Sequence, residues 1–145
     1  MMLASFAVVL IVGVFGGAPQ APAEPRACLV VVNEGNPAAE LTRAEVADIF
    51  LRKVTRWQNG ISVAAVDQST MAPVRRCFSE EVLGMKIGTV QSYWQAKVLS
   101  GREIPPRVFS TNADVLEFVR QSREAVGYVS ADATLPSGVK ALRIR

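Results

Sequence analysis

Short valine-rich runs alternate along this chain with stretches of helical periodicity, and that alternation restricts the fold more than any other feature of the sequence. Residues 28–32 form an apolar run of strand length, continuous enough for burial on both faces, and the Asn-Glu-Gly-Asn-Pro segment at 33–37 stops it. A helix then starts with Thr42 and Glu45 at capping-box spacing, and Leu41 is set to staple onto Val46. Val46, Ile49 and Phe50 mark its buried stripe. The Trp-Gln-Asn-Gly turn at 57–60 leads into a second apolar run over 61–66.

A second helix is expected from about residues 71–73, because Pro73 suits a first turn whose amides have no intrahelical partner. Val74, Cys77, Phe78 and Val82 face inward, and Gly84 suits the stop. A third helix is expected over about 89–100, burying Val90, Tyr93, Trp94 and Val98 and closed by Gly101. The Ile104-Pro105-Pro106 segment cannot continue it. Residues 108–110 suit a short strand, and Asn112 is placed as N-cap of a fourth helix carrying Val115, Phe118 and Val119. Residues 125–130 and 139–144 are the last strands. Strands and helices in this order predict right-handed crossovers and an α/β domain with a mostly parallel sheet flanked by helices.

All sixteen basic and thirteen acidic residues lie beyond position 23. The apolar run over 3–18, followed by Ala21-Pro22-Ala23, reads as a signal peptide over 1–23, leaving one domain over 24–145. A membrane-spanning helix needs about 20 apolar residues, more than this run supplies. The Pro25-Arg26-Ala27 sequence before Cys28 does not suit a lipoprotein. A periplasmic or secreted product with no stable membrane span after cleavage is expected. The net charge of +3 is scattered, with no basic stripe, so nucleic acid is not an expected partner.

The chain has no histidine, which removes the commonest general base, the Ser/His and Cys/His pairs and imidazole metal ligands together. Cys28 and Cys77 are too far apart for a CxxC motif or zinc knuckle, and Glu80 and Glu81 point in different directions on a helix. No enzyme activity, metal site or cofactor is expected. For the cysteines, a disulfide in an oxidising compartment and two buried thiols both stay open. Ligands in open α/β sheets collect beyond the carboxyl ends of strands, where helices begin. That rule selects Asn33, then Asp67, Gln68, Ser69 and Thr70 with Arg75 behind them, and then Ser110, Thr111 and Asn112. The competing reading makes Thr70 and Asn112 caps, Asp67 a turn former and the arginine a surface residue. Trp94 reads as core, whereas Trp57 is open between core and pocket.

The ordered segments resemble the phosphate-type substrate-binding proteins of ABC transporters. The likeness rests on Val31-Val32-Asn33, on Leu41-Thr42-Arg43-Ala44-Glu45-Val46-Ala47-Asp48-Ile49-Phe50 leading to Trp57, on Val66-Asp67, on Val82-Leu83-Gly84, and on Ala125-Val126-Gly127-Tyr128-Val129-Ser130. It covers nearly all of residues 28–145. It implies a single-lobe, periplasmic-binding-protein-like (type II) domain that binds a small anion or polar solute, with an ABC transporter or another protein as partner. Two departures stand out. Full-length members close two lobes on their ligand, and about 120 mature residues suffice for one. The family's phosphate-holding Arg and Ser-Gly-Thr fall on Gln68 and on Ala72-Pro73-Val74 when the segments are aligned on Phe78; a gap brings Ser69 and Thr70 partly into register instead, with Arg75 supplying charge. Phosphate is therefore one solute among several, and the alternative is an interaction protein that keeps the fold without a solute site.

Overall fold

A computed structural model of the protein describes Gly17 and residues 27–145; the leader expected over residues 1–23 falls, Gly17 apart, outside the described residues. The first strand, β1 (Cys28–Asn33), is buried from Val30 onward. Its alternate residues go to different sides of the sheet, Val30 and Val32 into one apolar cluster and Val31 into another. After a turn the chain makes a short strand, β2 (Glu40–Leu41), and enters helix α1 (Arg43–Phe50). Both halves of the capping box form: Thr42 Oγ1 accepts from the Glu45 amide, and the Glu45 carboxylate accepts from the Thr42 amide. Leu41 and Val46 are buried in the same cluster, as a hydrophobic staple requires.

Strand β3 (Ala64–Gln68) starts later than the apolar run at 61–66 implied. Residues 57–62 are used in a turn, in which the Trp57 amide donates to Ile61 O and Asn59 Oδ1 accepts from the Ile61 amide, leaving Ile61 about half exposed. Trp57 itself is core; its indole Nε1 donates to Glu124 O. Helix α2 (Pro73–Phe78) runs on as a π-helical turn over Ser79–Leu83 and stops at Gly84, whose φ of 66° is the left-handed conformation glycine tolerates best. Helix α3 (Ile87–Leu99) buries Val90 and Trp94, but Val98 is 51% exposed, so the third helix covers less of the core than its periodicity suggested.

The remaining elements are β4 (Arg107–Phe109), α4 (Asn112–Gln121), β5 (Ala125–Ser130), β6 (Val139–Ala141) and β7 (Arg143–Ile144). The run expected as one strand at 139–144 is split, because the chain leaves β1 after Ala141 and passes to β2 at Arg143. Thr111, and not Asn112, caps α4: its hydroxyl accepts from the Asp114 amide.

The main sheet has the order β4-β3-β5-β1-β6. β3 is parallel to β4 and to β5, whereas β1 is antiparallel to both β5 and β6. The sheet is thus mixed but mostly parallel, with β1 the reversed strand. One face packs α1 and α2 around Phe50, Phe78 and Tyr128, and the other packs α4 through Val115, Leu116 and Val119. Phe78 stacks on Tyr128 with ring centroids 3.8 Å apart, and Phe50 meets Phe78 edge-on at 4.6 Å. Among the described residues no helix is long and apolar enough to cross a membrane.

Candidate functional site

Strands β3, β4 and β5 end together, and the register fixes where: Gln68 lies beside Phe109, while Ala64 and Ala65 lie beside Ala125 and Val126. Their carboxyl ends therefore share one edge of the sheet, from which α2 and α4 begin. Reversal of β1 puts its first residue at that edge, with Cys28 opposite Ser130, and its last residue toward the other edge, beyond Val32 opposite Val126. Asn33 is accordingly separated from the other candidate residues. Its Nδ2 donates to Val119 O and Arg120 O at the end of α4, both at 2.9 Å, and its Oδ1 accepts from the Gly35 amide. It closes a helix terminus instead of facing a ligand.

Of the eight other candidates, five lie around one crevice and three line a separate groove. Ser69, Ser110, Thr111 and Asn112 join Gln68, Ser130 and the 71–74 segment around a crevice of about 430 Å³ between the starts of α2 and α4. Ser130, at the end of β5, was missed in the sequence, although the strand-end rule that selected the β3 and β4 loops applies to it equally. Gln68 forms the floor of the crevice; its Nε2 donates to Tyr128 O at 2.8 Å and to Asn112 Oδ1 at 3.0 Å. Asn112 in turn donates to Ser130 Oγ at 3.1 Å and accepts from the Ser130 amide. These amides hold the three strand ends in register. Ser69 Oγ accepts from the Met71 amide, which shapes the entry to α2.

Asp67, Thr70 and Arg75 line a second, larger groove of about 750 Å³, which Gln68 and Ser69 also border. Its walls are mainly apolar, formed by Val90, Trp94, Val98, Leu99, Pro105, Pro106 and Val108. Arg75 is only 3% exposed. Its Nε lies 3.2 Å from Asp67 Oδ1, without the alignment of a hydrogen bond, and its Nη1 donates to Ser79 Oγ. The Tyr128 hydroxyl donates to the same Asp67 oxygen and accepts from the Gln68 amide at 3.0 Å. Burial, and then the neighbouring Asp67 carboxylate, push the Tyr128 phenol far above its ordinary range, so it remains a donor. The charge of Arg75 is thus met within the protein by Asp67, which the linear spacing could not show. Among the described residues no group of three or more His, Cys, Asp or Glu side chains is arranged to hold a metal ion.

No family model matches the sequence, and no curated protein matches it. Solved structures do match the fold. An ABC-type phosphate transport receptor from Vibrio cholerae superposes with a TM-score of 0.62 at 23% identity, over 81% of this chain and 45% of that one. A putative phosphate ABC transporter substrate-binding protein from Clostridium perfringens, solved with bound phosphate, gives 0.63 at 18%, over 81% and 44%. PstS from Borrelia burgdorferi gives 0.57 at 12%, over 82% and 47%. The fold is therefore periplasmic-binding-protein-like, a mixed and mostly parallel sheet flanked by helices. The chain spans less than half the length of the structures it matches.

Proposed function

We propose that this chain is an exported, non-enzymatic solute-binding lobe that holds a small anion or polar solute in the crevice between the starts of α2 and α4. The observation that carries the reading is the convergence there of three strand ends with the hydroxyl-bearing residues Ser69, Ser110, Thr111 and Ser130. Backbone amides at helix starts and hydroxyl groups recognise oxyanions and polar solutes without a titratable catalyst. The phosphate receptors among the structural neighbours support a solute of this class and an ABC transporter as partner. The smaller crevice is preferred to the larger groove because the latter is mainly apolar and its Arg75 is already paired with Asp67. With that cation compensated, binding rests on hydrogen bonds and is weak, and it depends little on salt.

The test takes the exported product, whose intact mass reports whether it begins at Glu24, and titrates it calorimetrically with phosphate, sulfate and small carboxylates at low and high salt. At least one should bind in the millimolar range or tighter. Ser110→Ala should weaken it roughly tenfold, the effect of one hydrogen bond to a charged ligand. Binding unchanged in that variant removes the crevice as the location.

A second reading, an interaction protein that keeps the fold without a solute site, is favoured by one observation. Leu99 is 87% exposed, Ile104 79% and Val108 58%, around the groove between α3 and β4. Absence of heat with every solute, together with association that Leu99→Glu abolishes, would replace the first reading with this one.

A further inference from the structure

The reversed direction of β1 brings together two residues that the sequence holds far apart. Cys28 opens β1 at the edge where β3 and β5 end, and α2 starts at that edge, directly after the β3 loop. Cys77 lies one turn into α2, beside Phe78, and Cys28 packs against the cluster that contains Val74 and Phe78. Both thiols are partly exposed, Cys77 is near enough to act on the ionisation of Cys28, and they are the chain's only cysteines. We propose that Cys28 and Cys77 form an oxidation site, closing an intramolecular disulfide between β1 and α2 when a small-molecule disulfide such as oxidised glutathione is supplied.

The exchange balances in two steps. One cysteine thiolate attacks a sulfur of the oxidant, breaking its S–S bond, releasing one small thiol and leaving a mixed disulfide on the protein. The second cysteine, after losing its proton, attacks the protein sulfur of that mixed disulfide and releases the other small thiol. The protein loses two electrons, the oxidant gains them, and the two thiol protons end on the released small thiols. Burial first, then Cys77 and the charge of Glu81, push the Cys28 thiol upward, so the uncatalysed exchange is slow. The bond would tie α2, whose start forms one wall of the crevice, to β1, the strand between β5 and the edge strand β6. The inference stands whether or not a solute binds there.

The experiment equilibrates the reduced, folded chain with glutathione disulfide, blocks remaining thiols, unfolds the protein and counts them. The expected result is a fall from two titratable thiols to none, a mass lower by two hydrogens, and a tryptic peptide joining residues 27–43 to 77–86. The melting temperature should rise by roughly 5 to 15 °C over the reduced form, with no rise in Cys77→Ser. Two thiols still titratable, glutathione retained on the protein, or chain-to-chain disulfides would each overturn the proposal; the wild-type thiol count and mass decide it even if Cys77→Ser folds poorly.

Discussion

Gly127 sits in β5 where no other residue fits. A Cβ there would lie 2.6 Å from Val115 Cγ1 and 3.0 Å from Val66 Cγ2, and both neighbours are stiff β-branched side chains in a closed cluster. Gly127→Ala should therefore destabilise the domain by about 1 to 3 kcal/mol, seen as a lower urea midpoint with an unchanged slope. A milder effect belongs to exposed carboxylates. The Thr42 backbone amide chiefly holds Glu45 below its ordinary value, and Arg120 does the same for Glu117. A carboxylate depressed on folding adds stability above its unfolded value, about 4.3, and loses it as pH falls through the folded one. Thermal melts from pH 6 down to pH 3 should fall less steeply in Glu45→Gln than in wild type. The capping box was legible because Thr42 and Glu45 are local to each other. The inward turn of Arg75 was not, since Asp67 and Ser79 reach it only once β3 and the π-helical turn are in place.

At the scale of elements, most strands and helices could be read from periodicity, and the errors fall where a segment's neighbours decide its form. Residues 61–63 are apolar enough for a strand but are held in the Trp57 turn, and residues 139–144 divide because two different strands receive them. Asn33 shows the same limit. Its strand end obeyed the rule for ligand loops, yet strand direction, which pairing alone settles, turned it toward the end of α4. Asn33→Ala should cost about 1 to 3 kcal/mol by leaving the Val119 and Arg120 carbonyls without their donor. Solute affinity measured by calorimetry on the still-folded variant should be unchanged.

Across the described residues, the sheet separates two apolar layers, and the edge from which α2 and α4 rise carries the crevice, the apolar groove and the cysteine pair. The rule that ligands collect beyond strand ends selected two of the three loops at that edge, those after β3 and β4, because each rests on short runs of sequence. Convergence of Ser130 with them depended on three strands meeting. The reversed strand has one more consequence, in the order of folding. β1 is the first strand among the described residues, yet its partners, β5 and β6, are almost the last, so the sheet's centre cannot form until nearly all of the domain is present. Pairings so distant in sequence close large loops before any contact repays the entropy, which slows folding. A chain emerging amino end first from the ribosome holds β1 unpaired until β5 and β6 have followed it, so its valine-rich face stays open to other contacts for most of synthesis.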